Sequence, residues 1–207
     1  MKLFQAFTTA GKGRLNVLKT KVDILLDKEI NPTGGNMKID AIWDTGATNT
    51  VISLDIAKQM SLVPIGIVSV STANGIAKSY KYIITLKLPN DVVINDIEVT
   101  SGNLGKGVDM LIGMDIIGLG DFAVTNYNGK TIFSYRYPSC EVIDYCKEAT
   151  KINNKKIEKE IRRNKELIKQ HGNEKCPCGS GRKYRYCCGK EELKRLNSQL
   201  SEKELAM

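Results

Sequence analysis

From residue 17 to residue 137 apolar and polar positions alternate with a period near two, the pattern of half-buried strands, interrupted by short turn clusters. Val17 to Leu26 places Val22, Ile24 and Leu26 on one face, and Met37 to Trp43 does the same with Met37, Ile39, Ala41 and Trp43. Between them, Asn31-Pro32-Thr33-Gly34-Gly35-Asn36 forces a turn. Ile65 to Ser71 and Lys78 to Leu88 flank Thr72-Ala73-Asn74-Gly75-Ile76-Ala77, and Asn-Gly between two strand-like runs is the strongest short-range hairpin signal. Further strands are expected over 92–99, before Gly113, over 121–126 and over 131–137, with a turn at Asn128-Gly129 and an edge strand at 2–8. Ser53 to Met60 reads as a short helix with Ser53 as its N-cap.

Beyond Pro138 the period lengthens. Ile157, Ile161 and Ile168 recur at helical spacing from about Asn153 to Gly172, and Leu193, Leu196 and Leu200 make a final short helix. The expected organisation is a mainly β domain over 1–137, a linker and basic amphipathic helix over 138–172, a cysteine-rich knuckle over 173–190 and a short helix within 191–207.

The 207 residues, 42% of them hydrophobic, suffice for one full core and an appendage. The net charge of +8 is not spread evenly: up to Cys146 there are 14 basic and 14 acidic residues, and from Lys147 onward 17 against 9. A solvated helix face accounts for most of these cations, with nucleic-acid contact the subordinate reading. The N-terminus lacks the layout of a signal peptide and no apolar run is long enough to span a membrane. The expected compartment is therefore the cytoplasm, with six cysteines reduced or metal-bound.

Two stretches carry chemistry. The first runs Ile42-Trp43-Asp44-Thr45-Gly46-Ala47-Thr48-Asn49-Thr50-Val51-Ile52-Ser53, delivering a carboxyl at the end of a strand. Hydrolysing a peptide without a metal or a covalent intermediate takes a water, a general base and a general acid. Two adjacent carboxyls sharing one proton perform both tasks. The chain has one Asp-Thr-Gly and no Asp-Ser-Gly, so it encodes half of such a pair. The second stretch is Cys176-Pro177-Cys178-Gly179-Ser180-Gly181-Arg182-Lys183-Tyr184-Arg185-Tyr186-Cys187-Cys188-Gly189, four thiols around a glycine-rich turn, the soft donor set that tetrahedral zinc takes.

The first stretch resembles the active-site segment of retropepsins, the half-size aspartic proteases of retroviruses and their relatives. Val108-Asp109-Met110-Leu111-Ile112-Gly113-Met114-Asp115-Ile116-Ile117-Gly118 resembles that family's second signature. The resemblance covers roughly residues 15 to 137. It implies a single-lobe acid-protease barrel that dimerises, with Asp44 supplied by each of two identical chains across a two-fold axis. It also implies that Thr45 hydroxyls brace the two loops against each other and that Gly46 admits substrate backbone. The 72–77 hairpin would be the flap over bound polypeptide, so Ala47, Thr72, Ala73, Asn74, Gly75 and Ile76 become expected substrate contacts. One departure stands out: the viral charged pair, an Asp two residues past the first glycine and an Arg after the second, is replaced by Thr48 and Met114.

The cysteine stretch closely resembles the SEC-C motif. That implies Cys176, Cys178, Cys187 and Cys188 as ligands of a structural zinc, in a knuckle that docks to a protein partner. His171 falls outside the motif, and Cys140 and Cys146 read as free thiols. The combined expectation is a cytoplasmic, homodimeric aspartic endopeptidase with a zinc-bearing appendage and no cofactor for catalysis. The alternative is a retropepsin-fold module that captures peptide without cutting it.

Overall fold

In the computed structural model, residues 3–72 and 75–204 are described. The chain forms two compact units, 1–141 and 142–207.

The first unit is mainly β. Six strands close into a ring: β2 (Lys19–Leu25), β3 (Met37–Trp43), β8 (Met110–Ile112), β4 (Val51–Ser53), β7 (Val93–Gly102) and β6 (Gly75–Lys87), which returns to pair with β2. Two contacts in the ring are parallel, β3 with β8 and β4 with β7. β5 (Gly66–Thr72) lies outside it, paired among the described residues with β6 alone. A separate three-stranded antiparallel sheet holds β10 (Ile132–Tyr137) between β1 (Gln5–Ala10) and β9 (Asp121–Thr125).

Alternation selects the inner face. On β2, Thr20, Val22 and Ile24 are buried; on β3, Ile39, Ala41 and Trp43; on β6, Tyr82, Ile84 and Leu86. Each apolar side chain of this size contributes about 1.5–3 kcal/mol on full burial. The expected strand pattern thus holds, with shifts of a few residues at the ends: the first strand starts at Gln5, and the hairpin strands extend to Thr72 and Gly75. The short helix α1 (Leu54–Gln59) begins where expected, with the Ser53 side chain accepting from Ile56 N.

Trp43, the chain's single tryptophan, ties the barrel to the three-stranded sheet. Its ring lies 5.0 Å from both Phe133 and Tyr135 and 6.0 Å from Phe7, and its Nε1 donates to Thr20 Oγ1 at 2.9 Å. The residue before Asp44 is therefore fixed on two sides, by aromatic packing and by a buried hydrogen bond. Tyr135 adds a bond from its hydroxyl to Ile116 O, and burial pushes that phenol's pKa up.

The second unit is helical. α3 (Tyr145–His171) and α4 (Cys188–Glu204) pack on each other, burying Ile161 and Leu196. Two sequence expectations are corrected. α3 starts at Tyr145 rather than near Asn153, because Asp144 caps it by accepting from Cys146 N and Lys147 N. Cys146 consequently stands in the helix's first turn, not in a linker. The last helix is not short and does not begin after the knuckle: it spans 17 residues and takes Cys188 as its first.

Candidate active site and metal centre

Asp44 leaves the end of β3 with its amide bound to Ile112 O at 2.9 Å, so the strand pairing of β3 and β8 carries to the carboxyl-bearing residue itself. The chain then turns sharply. Gly46 N donates to Asp44 Oδ1 at 2.8 Å and Ala47 N to Asp44 O at 3.2 Å, which orients the carboxyl on its own loop. Asp44 is half-buried, while Thr45 and Gly46 are exposed, and among the described residues the Thr45 side chain has no hydrogen-bond partner.

A second segment braces this loop from behind. Gly113, the residue between β8 and α2 (Met114–Ile117), passes so close that a Cβ there would stand 2.6 Å from Asn49 C, 2.7 Å from Asn49 O and 2.9 Å from Ala47 O. No rotamer change relieves such a clash, since every one of these atoms is backbone. Met114 N donates to Ala47 O at 2.8 Å, Asp115 N to Thr48 O at 3.1 Å and Gly113 N to Thr50 Oγ1 at 3.1 Å. Asp115 completes the clamp by accepting from Thr50 N and from Thr50 Oγ1, both at 2.8 Å. Thr50 is fully buried, so its polar atoms have no water to turn to.

A cavity of about 810 Å³ opens beside the loop. Its wall reaches Gly46 and Ala47 and is mixed: Val51, Val68, Val70 and Leu111 give it aliphatic surface, while Asn49, Lys81, Glu98 and Asp115 give it polar and charged groups. The expected contacts divide accordingly. Asp44, Thr45, Gly46 and Ala47 share one loop. Thr72 pairs with Gly75 and Ser71 with Ile76 in the hairpin ladder, and Ile76 is 82% exposed. Ala73 and Asn74, the other expected flap contacts, lie outside the described residues.

Val68, Ser69, Val70 and Lys81 of the hairpin line the cavity, and none of them is among the contacts expected at the Asn-Gly tip. The parity of the 65–71 alternation carried that signal. Thr50 and Asp115 were missed as well. The available clue was an acid in the first turn of a short helix, beside the position where the viral charged pair is lacking.

In the second unit the four knuckle cysteines converge, with all Sγ atoms within 4.8 Å of one another. Gly179 (φ +79°) and Gly181 (φ +71°) make the turn between them, in backbone conformations that side chains disfavour. Cys176 N bonds Arg182 O at 2.8 Å, closing the knuckle's base, and Ser180 Oγ lies 3.2 Å from Cys187 Sγ. Hydrogen bonds from the Ser180 hydroxyl, then from its backbone amide, lower the Cys178 thiol to about 6, whereas bonding to Cys176 and Cys178 pushes Cys188 up to about 12. Four thiols this close cannot all ionise unless a cation lies among them, and as thiolates they suit a soft or borderline divalent ion. His171 takes no part: it ends α3, exposed, with Nδ1 2.9 Å from Glu174 Oε1. Cys140 and Cys146 are exposed free thiols.

Residues 30–116 match the family model of aspartyl proteases, and residues 173–190 match that of the SEC-C motif. Among solved structures, the chain is similar to a retropepsin-like aspartic protease from Rickettsia conorii, at 12% identity and a TM-score of 0.41 over 66% of this chain and 97% of that one. It is also similar to the protease of Simian Foamy Virus (mac), at 20% identity and a TM-score of 0.34 over 49% and 92%. A third similar structure is the retroviral protease-like domain of Ddi1 from Leishmania major, at 15% identity and a TM-score of 0.33 over 58% and 95%. No curated protein matches the chain. The first unit is thus retropepsin-like in fold, and the second carries a SEC-C motif.

The clamp yields a prediction. Gly113→Ala is expected to destabilise the first unit by about 2–3 kcal/mol, as overpacking against backbone does. Denaturant unfolding followed by Trp43 fluorescence measures it, and a cost below 0.5 kcal/mol would show that the crossing is not tight.

Proposed function

We propose that the chain is an aspartic endopeptidase that works as a homodimer, each protomer contributing one Asp44 to a shared pair. The observation that carries this reading is the Asp44 loop itself: a carboxyl oriented by Gly46 N–H, held from behind by the Gly113 crossing, on a loop whose Gly46 and Ala47 line a cavity of mixed aliphatic and polar wall. The match of residues 30–116 to the aspartyl protease family supports it.

In this reading, two Asp44 carboxyls meet across the two-fold axis and cannot both ionise, so one holds the shared proton. The ionised member takes a proton from the bound water as that oxygen attacks the peptide carbonyl. The protonated member then gives its proton to the departing nitrogen. Thr45, exposed and without a side-chain hydrogen-bond partner among the described residues, bonds the partner's loop in this reading, and Gly46 leaves room for substrate backbone. The 66–87 hairpin closes over an extended polypeptide whose aliphatic side chains enter the cavity.

The four cysteines hold a structural zinc, with every coordination place filled by sulfur, so the ion supports the knuckle and leaves catalysis to the first unit. The knuckle docks a protein partner, with the exposed Arg182, Lys183 and Tyr186 at its surface. The protein acts in the cytoplasm, where its thiols stay reduced; none of its described helices is long and apolar enough to cross a membrane.

Two outcomes are expected. Wild-type protein should sediment as a dimer and cleave an unfolded polypeptide, and Asp44→Asn should lose at least about 100-fold of the rate while still dimerising. Equal cleavage by the variant, or a wild type that stays monomeric while active, would sink the dyad. A dimer that binds extended peptide and never cuts it would assign the fold to capture instead. Separately, the protein should carry one zinc per chain, and stripping it with a chelator should cost far-UV helicity from α4, whose first residue is a ligand, while Trp43 fluorescence stays unchanged. Loss of zinc with no change in helicity would overturn the structural role.

A further inference from the structure

The cavity beside the Asp44 loop carries charges that the loop does not use. On its wall Lys81 of β6 and Glu98 of β7 form an ion pair, Nζ to Oε2, at 2.5 Å. Register puts them on one face of the sheet. Lys81 stands opposite Thr100, and Glu98 lies two residues along β7, on the diagonal that long side chains span. Asp115, the third charged residue of the wall, is already committed, accepting from Thr50 N, Thr50 Oγ1 and Ile116 N. Among the described residues, Lys81 and Glu98 have no other side-chain hydrogen bond or ion pair.

Stability gives no reason for the pair. The two side chains are 31% and 57% exposed, and an ion pair of that exposure contributes little to folding. The wall leaves the pair open to a ligand. On β5 the residue opposite Lys81 is Gly66, and nothing stands within 4 Å of where a Cβ would sit there. Lys81 spends one of its donors on the pair, and Glu98 keeps most of its roughly four acceptor sites free. Val68 and Val70, which share Gly66's face of β5 by alternation, add hydrocarbon surface to the same cavity.

We propose that the Lys81–Glu98 pair selects polypeptides with a carboxamide side chain, glutamine or asparagine, at the position that enters this cavity. The proposal rests on the protease reading above. A carboxamide carries both kinds of group. Its oxygen accepts from the Lys81 ammonium while its N–H donates to the Glu98 carboxylate, and the ion pair stays whole. Its methylene stem lies on Val68 and Val70.

Every other kind of side chain loses something here. An aliphatic one takes water from both charges and returns no hydrogen bond. A carboxylate meets Lys81 but lies against Glu98 and Asp115, and a cation meets Glu98 but lies against Lys81.

The test takes an unfolded polypeptide that the full-length protein cuts at one bond. Glutamine, asparagine, glutamate, lysine, leucine or methionine is placed at each position around that bond in turn. Methionine is the sharpest comparison, because it is unbranched like glutamine and ends in no strong hydrogen-bonding group. At one position glutamine should raise kcat/KM about tenfold over methionine, the scale of hydrogen bonds to charged groups, with glutamate below both. Lys81→Gln should turn the preference at that position to lysine, and Glu98→Gln should turn it to glutamate. Exchanging the two, Lys81→Glu with Glu98→Lys, should restore the preference for glutamine. Each preference is a ratio taken within one preparation, so a partly folded variant does not distort it. Cleavage with no position favouring a carboxamide would overturn the proposal and leave the protease reading standing. So would a glutamine preference that both single variants retain, or variants that cut nothing, which would assign the pair to the fold. A wild type that cuts no polypeptide would remove both.

Discussion

The first unit depends on two backbones passing closer than side chains allow. Where Gly113 meets Ala47 and Asn49, the nearest backbone atoms stand 2.6–2.9 Å from the place a Cβ would occupy. Everything about the Asp44 loop follows from that contact. It lets Met114 N and Asp115 N reach the carbonyls of Ala47 and Thr48, and those bonds fix the loop in one conformation. A carboxyl on an ordinary surface turn would move among rotamers and backbone states. This one is fixed from below by Trp43 in the core, from behind by the crossing and from ahead by the Gly46 amide. Preorganisation of this kind is what distinguishes a positioned acid from a solvated one.

The clamp also shows how charge can be rearranged without loss of order. The viral pairing of an Asp with an Arg is lacking, since Thr48 and Met114 hold those places. Asp115, one residue past Met114, accepts two bonds from Thr50, two residues past Thr48. A carboxylate bonded to a backbone amide and a hydroxyl is satisfied without a cation, so the loop keeps its support while the surface loses a charged pair. Met114, 44% exposed, is left as an apolar residue directly below the loop.

Much of this was legible in the sequence because local chemistry and global fold agree. Period-two alternation named the strands, Ser53 named the cap of α1, and Asp44-Thr45-Gly46 with Ile112-Gly113 named the two segments that meet. What was not legible depended on contacts distant in sequence. The Thr50–Asp115 clamp joins residues 65 apart, and nothing in either local pattern announces it. The closure of β6 onto β2 is likewise a property of the ring, not of either strand. In the second unit the errors were of extent. Asp144, the cap, stands nine residues ahead of Asn153, where the helical repeat suggests a start. The 173–190 knuckle and the final helix share Cys188, which is both an expected ligand and the first residue of α4.

The division into two compact units, each with its own buried residues, changes what stability means for this molecule. The buried cluster centred on the barrel holds no residue beyond Tyr137, and Ile161, Cys176, Cys187 and Leu196 are buried in the other unit. Two units that unfold independently would have no single melting temperature. One transition belongs to an aromatic-rich barrel and is indifferent to metal supply. The other, if the four thiols hold an ion as proposed, would move with the free concentration of that ion, by the ordinary mass-action law. In a metal-starved cell the helical unit would then loosen while the barrel kept its fold.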